Sequence, residues 1–152
     1  MPSVVAAKNH IPLMSEASVA KTRELESVLL KEPQLPLTTK HLIHGGVYFR
    51  TIQMQADTLL AGAFIKIATT LIVSGCVTIY MTGGGVFFGG YNVLPASGGR
   101  KQAILAHTVS DLTMVFPTLA TTVAEAEAEF TDELDLLVSN TGDNETTITG
   151  EY

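Results

Sequence analysis

His41 and His44 stand three residues apart, a spacing at which two imidazoles on one helical turn can share a metal ion. Pro36 and Gly45-Gly46 instead mark this stretch as extended chain. No Asp or Glu lies nearby to complete a ligand set, so no metal role is expected. His107 closes an apolar run and reads as a surface or interface residue. The cluster Gly83-Gly-Gly-Val-Phe-Phe-Gly-Gly90 invites comparison with a phosphate cradle, but it lacks the Gly-Lys-Ser/Thr ending and no helix follows. Cys76 lies in a strongly apolar run without the base and positive surroundings that activate a thiol. Ser97 precedes a glycine without forming a Gly-x-Ser-x-Gly elbow. The Arg100-Lys101 pair suits an anion, but more often such a pair is a solvated loop or a salt-bridge donor to the acids of another subunit. Glu125, Glu129 and Asp132 belong to an acidic segment with no twelve-residue calcium loop; it reads as a solvated face or, more sharply, as a surface that docks on a basic patch of a neighbouring subunit. Asn144-Glu-Thr146 matches a glycosylation acceptor, which carries meaning only in a secretory pathway.

The elements that must position these residues follow from periodicity and capping. Residues 1–14 read as an extended arm. Ser15 is a suitable N-cap, with Glu16 in the first turn behind it. Val19, Leu25, Val28 and Leu29 then fall on one helical face until Pro33 stops the helix. From residue 40 short apolar runs recur at 46–54, 58–67, 69–74, 76–81, 85–88, 91–94, 102–107 and 112–116. Eight such runs, closed by Gly, Pro or Asp, predict a sandwich or barrel. The glycines at 83–85, 89–90 and 98–99, and Ser74-Gly75, are expected to form its turns. After Pro117, Thr122-Val-Ala-Glu125 forms a capping box. Val123, Ala126, Phe130, Leu134 and Leu137 make an apolar stripe behind it, and residues 146–149 read as a short terminal strand.

Composition narrows the functional classes. The chain has 152 residues, is 46% hydrophobic and only 16% charged, with a net charge of −6. That excludes wholesale disorder, and the low charge suggests that much of the surface meets other protein. One cysteine excludes an internal disulfide framework. Every Lys and Arg lies at or before Lys101: residues 1–101 hold nine basic and five acidic residues, +4, and residues 102–152 hold ten acidic and no basic ones, −10. The acidic half would repel phosphate, and no basic stripe exists elsewhere, so nucleic-acid binding is not expected. The most apolar stretch, 58–80, is long enough for a membrane helix but is interrupted by Lys66 and Gly62 and rich in β-branched residues, which favour strands over a span.

Two resemblances add to this. Residues Gly62-Ala-Phe-Ile-Lys-Ile-Ala-Thr-Thr-Leu-Ile-Val-Ser-Gly75 and Leu94-Pro-Ala-Ser-Gly-Gly-Arg-Lys-Gln-Ala-Ile-Leu-Ala-His107 resemble the two motifs of cupins in their turns and strands, over residues 58–117. Phe64 and Lys66 fall where the cupin histidine pair stands, so the resemblance implies the barrel without its metal centre. The segments His41-Leu-Ile-His-Gly-Gly-Val-Tyr-Phe-Arg-Thr-Ile52, Ala96-Ser-Gly-Gly-Arg-Lys-Gln102, Asp111-Leu-Thr-Met-Val-Phe-Pro117 and Ala126-Glu-Ala-Glu-Phe-Thr-Asp-Glu133 are similar to a small, mainly uncharacterised family encoded by tailed bacteriophages. That implies a phage setting.

The expected fold is mainly β, a jelly roll or cupin-like double-stranded β-helix over residues 40–117. An N-terminal arm and helix (1–39) precede it, and an acidic C-terminal helix and tail (118–152) follow. The expected function is a non-enzymatic virion structural protein, in the first place a capsid decoration or cement protein, made in the host cytoplasm. It would take no cofactor, metal, nucleic acid or membrane, and would form a homodimer or homotrimer that contacts a major capsid or tail protein. The expected contacts are Leu25, Val28 and Leu29 on the helix, Arg100 and Lys101 in a basic loop, and Glu125, Glu129 and Asp132 on the acidic helix. The alternatives are a tail or head-fibre accessory protein, or a cupin-like sugar-binding module or enzyme using Lys66, Tyr48, Tyr80 and Tyr91.

Overall fold

The computed structural model describes residues 9–152. Helix α1 (Glu16–Leu29) begins where its cap predicts: the Ser15 hydroxyl accepts from the Ser18 N–H at 3.1 Å. It leads into an eight-stranded sheet. The strands are β1 (Thr38–His44), β2 (Val47–Met54), β3 (Thr58–Ala61), β4 (Thr69–Met81), β5 (Gly84–Ala96), β6 (Ala103–Ala106), β7 (Ser110–Pro117) and β8 (Asn144–Ile148), with α2 (Val123–Phe130) and two 3-10 turns between the last two.

The sheet is curled by one device. β4 pairs along its whole length with β5 on one side. On its other side it pairs first with β7, from Thr70 to Ser74, and then with β6, from Val77 to Ile79. The exchange happens at Gly75, which has φ 139° and faces Gly90, φ 80°, on β5. Ser110, the first residue of β7, occupies the space a Gly75 side chain would need. Ser74-Gly75 is therefore a kink inside one strand and not a turn between two. Glycines 89–90 likewise lie inside β5, whereas the turn between β4 and β5 falls at residues 82–83. The run 58–67 supplies strand only as far as Ala61.

From this kink the order runs β3-β6 on one side and β7-β2-β1-β8 on the other. β8 joins the sheet in parallel with β1, so the region after residue 118 contributes a strand as well as a helix. The result is a mainly β, jelly-roll type domain with a helix before it and a helix near its end. The core falls into two clusters. One, around Val73, Val77, Ile79 and Leu94, fills the β4–β5 side. The other, around Tyr48, Phe116, Ala126 and Phe130, joins α2 to β2 and β7.

Two ends of the chain fold back on this domain. Residues 1–8 of the expected arm lie outside the described residues, but Ile11 is fully buried and bridges Ala96 at the end of β5. α2 ends at Phe130, and Thr131 beyond it is extended. The expected apolar stripe therefore stops there: Leu137 is buried from extended chain between two 3-10 turns, while Leu134, in the first of them, is 43% exposed.

Candidate functional site

The charge division of the sequence is resolved inside the chain. Lys101 is fully buried, and its ammonium donates to Glu26 Oε2 of α1 at 2.9 Å and to Glu133 Oε1 at 3.0 Å. Glu133 also accepts from Arg23 at 2.7 Å and from the Phe64 N–H at 2.6 Å. Burial works to raise the Glu133 carboxyl, but these donors outweigh it and hold it below the ordinary range. One lysine thus ties α1 and the acidic segment to the barrel, and the basic loop read from Arg100-Lys101 is not a surface loop. Of the other acids, Glu129 accepts from Thr118 Oγ1 at 2.7 and 2.8 Å. Asp132 pairs with Lys66 at 2.7 Å, and Glu125 accepts from the Thr121 N–H at 3.3 Å as a reciprocal cap.

A second polar cluster closes the same end. Arg50, 4% exposed, donates to Glu127 at 2.6 Å and to Ser139 Oγ at 3.1 Å, and its guanidinium lies 5.3 Å from the Phe130 ring centre. His41 Nε2 meets Asn144 Oδ1 at 2.7 Å, and its Nδ1 meets the Tyr48 hydroxyl at 2.7 Å. Asn144 donates through its nitrogen to Ser139 O at 2.8 Å, so its oxygen faces the histidine. The assigned tautomer therefore carries its proton on Nε2, and Tyr48 donates to Nδ1. Burial pushes the His41 imidazole down and the Tyr48 phenol up. Among the described residues no fully buried side-chain polar atom of this cluster lacks a partner, as a structural clamp on the tail requires. His44 sits apart, against Thr149 at 2.7 Å.

The positions matched to the cupin ligand pair do not fit a divalent metal. Ala63 and Ile65, not Phe64 and Lys66, line the barrel interior, and Lys66 is turned out to Asp132. Among the described residues no three His, Cys, Asp or Glu side chains gather as a ligand set. The interior is a cavity of about 110 Å³, walled mainly by apolar side chains with Arg50, Arg100 and Gln102 among them. Tyr48, Tyr80 and Tyr91, expected at such a pocket, do not line it.

What the sequence reading missed lies on the outside of the β4–β5 hairpin. Between Lys66 and Arg100 no residue is charged. β5 pairs with β4 alone, apart from the Ile11 bridge at its end. Its outward side chains Phe87, Tyr91 and Val93 are 62%, 71% and 55% exposed. Natural edge strands carry charge, proline or a cover against pairing; here Pro95 and the Ile11 bridge protect only the end of β5, residues 84–94 carry neither charge nor proline, and the uncharged gap in the sequence was the available signal. Elsewhere, Leu25 lines an open groove of about 580 Å³ beside α1. Val28 is exposed and Leu29 half-buried.

No known protein-family profile matches the chain, and no curated protein does. Among solved structures it is similar to a cupin-2 domain protein from Shewanella frigidimarina (10% identity, TM-score 0.42, 61% of this chain and 91% of that one). It is also similar to a cupin superfamily protein from Desulfitobacterium hafniense (12%, 0.47, 74% and 99%). A third is a salicylate 1,2-dioxygenase from Pseudaminobacter salicylatoxidans (15%, 0.47, 76%), of which this chain spans about a third, 35%. The mainly β fold class rests on the strand order described above.

Proposed function

We propose that this chain is a non-enzymatic bacteriophage virion protein, in the first place a capsid decoration or cement protein, that assembles by joining copies of itself along β5. The observation that carries the reading is the uncharged hairpin: an edge strand of 13 residues whose outer face presents Phe87, Tyr91 and Val93 with no charge to deter a partner. Exposed apolar patches of this kind mark protein contacts, and antiparallel edge pairing is self-complementary about a two-fold axis. Glu129 and Asp132 have side-chain partners within the chain, and the uncharged apolar edge offers a further contact surface. The cavity walls offer few partners for the hydroxyls of a sugar, which favours the structural reading over a sugar-binding module.

Light scattering after size exclusion tests the association. The full chain runs as a dimer, and Phe87→Lys with Val93→Lys runs as a monomer with unchanged far-ultraviolet circular dichroism. A monomeric parent overturns the edge-pairing reading. Mass spectrometry of purified particles from a phage encoding the chain tests the setting, and absence of the chain from the particle ends the virion reading.

A further inference from the structure

The interior cavity presents a cation without a carboxylate partner and an amide nitrogen without a hydrogen bond. Arg100 is 2% exposed, yet among the described residues no carboxylate lies within 4.0 Å of it. Its donors reach only Ser97 O at 2.7 Å, Thr69 Oγ1 at 2.8 Å and the Met114 sulfur at 4.0 Å. Gln102, 7% exposed on the same wall, has an amide nitrogen with no hydrogen-bond partner. Buried charges are otherwise paired and buried amides bonded, and this chain obeys that rule at Arg50 and Lys101. Burial lowers the Arg100 guanidinium to about 10, so it stays a cation at neutral pH. Apart from Arg50, which is already paired with Glu127, the rest of the wall is apolar, with Ile52, Leu60, Leu71, Ile104 and Leu112 among its residues.

We infer that the barrel interior is a binding site for a small monocarboxylate, whose oxygens accept from Arg100 and Gln102 while a compact aliphatic body of about four carbons fills the apolar space. The size follows from the volume: an apolar cavity of roughly 150 Å³ takes benzene, and this one measures about 110 Å³. A planar guanidinium that no carboxylate yet pairs suits two carboxylate oxygens. The apolar walls select against inorganic anions and polyols, and no metal is needed. The site is independent of the hairpin edge, so it stands or falls separately from the assembly proposal.

Titration calorimetry and thermal melts of the full chain with sodium butyrate test it, with butyramide and inorganic phosphate as comparisons. Butyrate at saturation raises Tm by about 3 °C, and it binds at least tenfold more tightly than butyramide or phosphate. Ala63→Leu fills the cavity while leaving Arg100 in place, and it abolishes the butyrate effect. Arg100→Met removes the cation and brings butyrate down to the affinity of butyramide. Should Arg100→Met fail to fold, Gln102→Leu is read in its place, with at least a fivefold loss. A cavity that holds only water gives no butyrate shift in the parent chain, and that result overturns the inference. So does equal binding of butyrate and butyramide, or butyrate binding untouched by Ala63→Leu.

Discussion

Lys101, the last basic residue of the chain, donates to Glu133 at 3.0 Å from a position with no solvent exposure. The contact joins the +4 portion of the sequence to the −10 portion inside one molecule. It also draws Glu26 of α1 into the same cluster, so one side chain links both appendages to the barrel, beside the Arg50–Glu127 and Lys66–Asp132 pairs and the β8–β1 pairing.

Lys101→Ala is accordingly expected to be far worse than a surface substitution. It leaves Glu26 and Glu133 facing one another, 12% and 17% exposed, without the cation between them. Breaking one side of a buried ion pair costs about 3–5 kcal/mol. Urea denaturation checks the loss. Limited proteolysis is expected to cut first near residues 131–137, where the released tail loses its anchor.

Stability is expected to fall in acid in two stages. His41 is pushed below 6.5 by burial and is neutral in the fold. As pH drops below about 6.5 the unfolded chain takes up a proton that the fold resists, so stability is full above that pH and declines toward the lowered native value. Glu133 is held below 4.5; its contribution is present above about 4.5 and is lost as pH falls through its lowered value. Denaturation midpoints measured against pH show both stages. His41→Gln flattens the first and Glu133→Gln the second.

The kink in β4 separates two effects of a side chain. Gly75 and Gly90 both take positive φ, but an added Cβ at Gly90 meets open space, whereas at Gly75 it falls 2.6 Å from Ser110 Cβ. Gly90→Ala should cost about 1–2 kcal/mol of backbone strain. Gly75→Ala adds the collision with β7 and should cost at least about 1 kcal/mol more. Equal losses in chemical denaturation would show that the collision relaxes freely.

Phe130→Asp is expected to open the C-terminal side of the barrel. Phe130 is 1% exposed, packs edge-on to Phe116 at 6.0 Å between ring centres and lies beneath Arg50. Replacing it loses the aromatic burial and strands a carboxylate, a cost of about 3–5 kcal/mol. Hydrogen exchange should show α2 and β8 deprotected before β4.

Local features were legible because their causes are local. Ser15 and Thr122 cap their helices through hydroxyls three residues from the N–H they serve, and such bonds need nothing from the rest of the chain. The β-branched runs and their turns specified the β class in the same way. Gly75 was misread because a glycine between two apolar runs looks alike as a turn and as a kink; only the exchange of β7 for β6 beside it distinguishes them. Arg100 and Lys101 were misread because adjacent charges ordinarily sit in solvent.

Length, capping signals, the apolar runs and the opposed charge of the two portions were determined by the sequence itself, since each is a property of residues close in the chain. Tertiary structure alone decided that the opposed charges meet within one molecule and that β8 pairs with β1 across roughly a hundred residues. It alone decided that Lys101 finds two carboxylates while Arg100, its neighbour, finds none. Burial, pairing and cavity shape depend on which distant segments come together, and that is set by packing summed over the whole fold.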